Sequence, residues 1–393
     1  NQLSHEIIIK LNDSASVNAI NLCALAIIGD ADHTLSINML KRCLKLYLLV
    51  LSCDERRKGL MPSGSLDTII AQALELKKFR VYDVGEDMKF VRPSRGQTLQ
   101  LTYFQNNILH LVALPALIAS VIIRNGHISR ANVISHTRSL FYFLKHELFT
   151  PITEDELDSF INKYINVFVK GGYILDLDHN MLALSGDGYE ELLILSNSIR
   201  LNLEPYLIAV TLLRQINDGT LTKNDFVTAC VDLCKEVPSE VTNNSPEFAD
   251  PIMFNIMCDT FVRHSYFSYS ENGTIIPEHN KIVKLAQAAE PLLAAKLVRH
   301  LKTEIENIKS HNVLGHEAAK AAQAEADAKR THDTEAVSAT ADERPIISND
   351  SAKAENKTHS AAISEDKIES SAAACEDKMQ SVSEFLDDKD AKS

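Results

Sequence analysis

Positive charge is in short supply in this chain, where 40 Lys and Arg face 53 Asp and Glu for a net of -13 at pH 7. A nucleic-acid binder needs a cationic face to neutralise phosphates, so the balance argues against one. From Ser310 onward there are 18 acidic and 10 basic residues, a net of -8, which leaves -5 for the preceding body. Paired cysteines are missing as well. The seven (Cys23, Cys43, Cys53, Cys230, Cys234, Cys258 and Cys375) are an odd number scattered over apolar segments, which predicts reduced core thiols in a cytoplasmic setting. Cys230 and Cys234 share a helix face and could form half of a metal site, but no second pair has ligand spacing, so no metal and no cofactor are expected. No secretory signal opens the sequence. The longest apolar run, Ile108 to Ile123, has 16 residues interrupted by His110, Pro115 and Ser120. That is short of the ~20 a spanning helix requires, and it reads as a buried core helix.

The chain does have a repeat. Its 393 residues, 45% hydrophobic, suffice for two or three domains. Leu35-Ser36, Ile128-Ser129 and Leu221-Thr222 each put a hydroxyl just ahead of a helical pattern, with an apolar residue before it as a staple. Ser36, Ser129 and Thr222 are 93 residues apart. Polar turns inside alternating apolar segments, at Glu86, His179 and Asn272, keep the same interval of 93. Two landmarks in one register point to three copies of one unit.

Each unit reads as an apolar helix (Val17 to Gly29, Pro115 to Arg124, Pro205 to Gln215), then a capped second helix. A third helix (Ser65 to Lys78, Thr153 to Lys170, Pro246 to Arg263) and a hairpin follow. Pro115, Pro205 and Pro291 are expected in first helical turns, where a missing N-H goes unmissed. The order is that of a winged helix. The predicted fold class is therefore mainly α with small β-hairpins (α+β): three tandem winged-helix-like repeats at 1-96, 97-187 and 188-278. A capping helix at 279-309 and a disordered acidic Ala/Ser/Glu/Lys-rich tail at 310-393 complete it. The third helices carry Asp67 and Glu75, then Glu154, Asp155, Glu156 and Asp158, then Glu247, Asp250 and Asp259. Such faces repel a phosphate backbone, so protein-protein or intramolecular docking is the expected use. An acidic, non-enzymatic tandem winged-helix adaptor is one reading.

The other reading starts from LTYFQNNILHLVALPALIAS, Leu101 to Ser120, where Tyr103, Asn106, Asn107 and His110 make a polar stripe at helical spacing. With Pro115, His127, Ser129 and Arg130, these residues resemble the C-terminal half of the membrane-associated bacterial glycerol-3-phosphate 1-O-acyltransferases. The resemblance runs roughly from Asn18 to Lys302 and is densest between Leu101 and Phe149. Gln105 departs from it, because family members usually have arginine there.

That resemblance implies a catalytic His and an Asp separated from it by four residues, the imidazole taking the hydroxyl proton while the carboxylate orients the ring. No histidine in this chain has Asp five positions on. A Gly- and Arg-rich block for the glycerol phosphate is also missing, and so is an initiator Met. The expectation is a partial chain with no catalytic residue, inert alone, whose missing N-terminal acyltransferase domain is its partner. Acyl-CoA or acyl carrier protein and glycerol 3-phosphate are met through that domain. The implied location is peripheral, on the cytoplasmic face of the bacterial inner membrane, without nucleic acid. The stripe is expected to be structural, with His110 a satisfied core histidine, or to face the missing domain. Arg124, His127 and Arg130 form a cationic group suited to lipid headgroups.

Overall fold

The computed structural model describes residues 2-303, apart from 86, 87, 95, 217, 218, 236, 238-248, 294-298, 300 and 302. The predicted tail at 310-393, Cys375, Glu86 and Glu247 lie outside the described residues, as does much of 279-309.

Among the described residues helices dominate, with three small antiparallel sheets. The first helix, α1 (Gln2–Asp13), lies on the body by one face only, presenting half-buried His5, Ile9 and Asn12 to it. After it comes α2 (Ala19–Gly29), apolar and buried on all sides. Asn18 and Asn21 form a reciprocal capping box at its start, and Asn21 Nδ2 also donates to the Phe104 carbonyl at 2.8 Å. A Cβ on Gly29 would lie 2.5 Å from the Ile194 carbonyl, so glycine permits the close approach of α2 to a later helix.

Strand β1 (Leu35–Ser36), α3 (Ile37–Leu51), α4 (Leu66–Glu75), β2 (Phe79–Asp83) and β3 (Lys89–Pro93) follow. The same order returns as α5 (Thr98–Asn125), β4 (His127–Ser129), α6 (Arg130–Leu148), α7 (Glu154–Lys170), β5 (Ile174–Leu177) and β6 (Met181–Leu184). After α8 (Tyr189–Asn197) it comes a third time: α9 (Arg200–Gln215), α10 (Lys223–Lys235), α11 (Pro251–Arg263), β7 (Phe267–Tyr269) and β8 (Ile275–Pro277). Helix α12 (His279–Ala289) follows, with a 3-10 turn at Glu290–Leu292 after it.

Strand order and register repeat too. The sheets run β1-β3-β2 and β4-β6-β5, with Leu35 opposite Val91 and Ile128 opposite Leu182. In the third unit a single bridge, Thr222 to Thr274, stands where the others have a first strand. The three hydroxyls read as caps do cap: Ser36 accepts from Met39 N-H at 3.0 Å, Ser129 from Asn132 at 3.2 Å and Thr222 from Asp225 at 3.2 Å.

One third-helix carboxylate in each unit is paired within that unit. Lys41 pairs with Asp67 at 2.6 Å, Lys223 with Asp259 at 2.9 Å, and Arg138 with Asp158, each tying a second helix to the third.

Two expectations need correction. Pro115 and Pro205 are not in first turns but inside α5 and α9; Pro291 is at the start of a 3-10 turn. An interior proline costs about 3 kcal/mol. Around Pro115, however, Leu114, Ala116, Leu117 and Ile118 are all buried, at roughly 1.5–3 kcal/mol per large aliphatic side chain, and that outweighs the loss. In consequence α5 is one helix of 28 residues, not a short run. By length and composition it could cross a membrane, yet 72% of its most apolar window is covered by protein. It packs on α2, α6, α7 and α8 as the spine of one continuous core.

Candidate functional site

A cavity of about 750 Å3 opens between the end of α2, the first half of α5, the end of α6, the start of α9 and one face of α11. Each wall has a local cause. Asp30, just after α2, accepts amide hydrogens from Asp32 at 3.1 Å and Thr34 at 3.0 Å, a tight turn that presents His33 with left-handed φ of 51°. His33 Nδ1 faces the Ile27 carbonyl at 3.3 Å. Helix α6 stops at Phe149, in the left-handed region at φ 47°, which turns its ring to the cavity and to His5, 5.2 Å between centroids. Helix α11 lines the opposite wall with Ile252, Met253, Ile256 and Thr260, spaced as one helical face.

The polar floor is held together by hydrogen bonds. Asn202 Nδ2 donates to Glu147 at 2.5 Å, and the Tyr206 hydroxyl is also bonded to Glu147. Burial first, and then that carboxylate, push the Tyr206 phenol far up. Gln105 is buried, its Nε2 donating to the Ser198 carbonyl at 3.0 Å and its Oε1 without a hydrogen-bond partner among the described residues. The position where a relative's arginine was expected thus holds a neutral amide in a buried place, where an unpaired guanidinium would be costly.

Two residues beyond Asn202 on α9, Glu204 is buried and its carboxyl is pushed up to about 7 by desolvation, which Arg200 and Arg124 only partly offset. The cavity walls mix apolar and hydrogen-bonding groups. Such a space can hold a ligand or a partner's side chain, while the groups around Asp30 and His33 are engaged with backbone rather than poised for proton transfer.

The predicted site residues separate. Tyr103, Asn106 and Asn107 are exposed, with Asn106 at the cavity rim; His110 is buried. The stripe is therefore not one seam. His110 Nε2 donates to the Asn12 carbonyl at 2.9 Å, and desolvation lowers its affinity for a proton more than that bond raises it. A ring so tied latches α1 to α5. Arg124 and His127 are exposed, but Arg130 is engaged by Asp176 at 3.1 Å and Asn166 at 3.0 Å.

Cys230, Cys234 and Cys258 are buried, and burial raises all three thiols, Cys234 and Cys258 to about 12. Among the described residues no group of three or more His, Cys, Asp or Glu is arranged to hold a metal ion. Sequence reasoning missed the α11 wall and the turn at Asp30, and no local signal marks them, because the cavity is assembled from distant segments.

Against known proteins, residues 1–270 match a family described as glycerol-3-phosphate acyltransferase C-terminal region. A protein of Pseudomonas paraeruginosa named glycerol-3-phosphate acyltransferase is 29% identical over 304 residues, covering 76% of this chain and 36% of its own length. One of Pseudomonas aeruginosa gives the same figures. A protein of that name from Histophilus somni is 26% identical over 310 residues, 78% of this chain and 37% of its own. The chain spans little more than a third of the length of these relatives.

Proposed function

From the premise that this chain belongs to the family of glycerol-3-phosphate acyltransferase C-terminal regions, we propose that it is the accessory, non-catalytic portion of such an enzyme. The observation that carries this reading is the match over residues 1–270 to a region named as C-terminal, in relatives of which about two thirds has no counterpart here. The whole enzyme would move an acyl group from acyl-CoA or acyl carrier protein to the 1-hydroxyl of glycerol 3-phosphate, the first step towards phospholipid. Its base and carboxylate would belong to the portion not represented here.

Three winged-helix-like repeats, at 1-96, 97-187 and 188-278, form the scaffold in this reading. The threefold element order and the three capping hydroxyls support it, as do the ion pairs from second to third helices. Acyl transfer needs a free base within reach of the acceptor hydroxyl. His110 does not qualify, because Nε2 is committed to a carbonyl and the ring is buried. Membrane attachment would be peripheral, a reading supported by the cover that protein gives α5, and the cytoplasmic face is what the family resemblance implies.

The test is direct. Purified chain given glycerol 3-phosphate and palmitoyl-CoA is expected to yield no lysophosphatidate above a no-protein control. Product that scales with the amount of chain would overturn the reading.

A further inference from the structure

Among the described residues, one face of α1 is left exposed. Leu3, Ile7 and Leu11 follow one another every fourth residue and are 70%, 49% and 63% exposed, while His5, Ile9 and Asn12 hold the opposite side against the body. Beside it, the first half of α5 is equally open: Leu99 is 81% and Tyr103 64% exposed, with Asn106 and Asn107 on the same face. The two helices are tied at one point and border one cavity. Asn12 meets His110, and one helical length earlier His5 shares the cavity with Thr102, Gln105 and Asn106.

Nothing in local stability asks for this surface. A stripe of leucine and isoleucine in water gains nothing, and contiguous exposed apolar faces mark interaction sites. Nor is α1 loose: buried Arg57 binds the Asp13 carboxylate at 2.5 Å and the Asp13 and Ala15 carbonyls, and Asn12 Nδ2 donates to the Leu148 and Phe149 carbonyls at 3.1 and 3.2 Å. The helix is anchored at one end with its apolar side turned outward.

We propose that this α1–α5 face is the docking surface for the larger portion of a glycerol-3-phosphate acyltransferase, which covers Leu3, Ile7, Leu11, Leu99 and Tyr103. The inference rests on the reading of the chain as the accessory portion. Three observations select this occupant. The matched region is described as C-terminal and accounts for about a third of the relatives' length, so in such an enzyme it has a larger portion to pack against. The polar members of the face are a phenol and two amides, the hydrogen-bonding groups of protein interfaces, with tyrosine a typical anchor. Among the described residues of α1, Lys10 stands with Glu6 and Asp13, and the nearby Arg56 and Arg57 are both paired to Asp13, so in a chain of net charge -13 this face offers anionic lipid no excess of cations. Docking there would also close the cavity mouth at His5 and Asn106.

The experiment mixes the purified full chain with the Pseudomonas aeruginosa relative shortened by its matched region, in detergent. A photo-reactive phenylalanine analogue is placed at position 7, at position 103, or at exposed Val283 on α12 as control. Complex formation on size exclusion with cross-links to the shortened enzyme from positions 7 and 103, and not from 283, is the expected result. Ile7→Asp with Leu11→Asp should then weaken association at least tenfold while the melting midpoint stays unchanged. A complex that forms without cross-links from 7 or 103, or that the double variant leaves intact, overturns the surface but spares the accessory reading. Cross-links to a second copy, to the chain's own residues beyond 303 or to added anionic vesicles overturn it as well. Absence of any complex with the unmodified chain overturns both.

Discussion

The two halves of α5 share one helix and one stretch of sequence but live in different surroundings. From Ile108 to Ile122 the helix is covered on nearly every side by α2, α6, α7 and α8. From Thr98 to Asn107 only Leu101 and Gln105 are buried, and Leu99, Tyr103, Asn106 and Asn107 look outward. Packing explains the covered half, Ile108 to Ile122. The exposed polar residues of the open half are solvated in this fold, and under the proposed docking they would face the partner.

If that contrast is right, substitutions in the covered half should cost stability, and those in the open half should cost association alone. The largest effect is expected at Leu117, fully buried: Leu117→Ala should lose about 2–5 kcal/mol in denaturant unfolding. A loss under about 1 kcal/mol would mean the covered half is loosely packed.

At the far end of the same half, Arg124 lies near buried Glu204, whose carboxyl titrates at about 7 instead of 4.5. Between those two values the folded protein holds a proton that the unfolded chain has released, so stability falls as pH rises across the window and levels off above 7. The accumulated penalty above pH 7 is about 3 kcal/mol at one pKa unit per 1.36 kcal/mol. Glu204→Gln should flatten the melting temperature between pH 5 and 8; an unchanged slope would place the charge in water.

In the open half, Gln105 is buried and should behave like a covered residue. Gln105→Leu strands the Ser198 carbonyl and should cost about 1–3 kcal/mol. The cap after α5 is worth less, with Ser129→Ala expected to lose about 1 kcal/mol. Smallest of all, Tyr103→Ala and Asn107→Ala should stay within about 0.5 kcal/mol in stability, as exposed positions do. A loss beyond 2 kcal/mol at Tyr103 would erase the contrast between the halves.

What could be read in the sequence was whatever is decided locally. Ser36, Ser129 and Thr222 announced three helix starts because a cap needs only its own next turn, and the hairpins announced themselves by alternation. Pro115 and Pro205 misled, since a proline's local cost is visible in sequence and the burial that offsets it is not. Helices α1 and α8 gave no repeat signal. The place of α1 is fixed by distant partners, Arg57, His110 and the carbonyls of Leu148 and Phe149. The cavity was invisible for the same reason, as His33, Gln105, Asn202 and Ile256 come together only through the tertiary fold.

The most direct measurement is reconstitution. The shortened Pseudomonas aeruginosa relative is assayed for acylation of glycerol 3-phosphate with and without this chain, and with the Ile7→Asp, Leu11→Asp variant. Activity that appears only with the unmodified chain is the expected outcome. Activity of the chain by itself, or equal activity with the variant, would contradict the account.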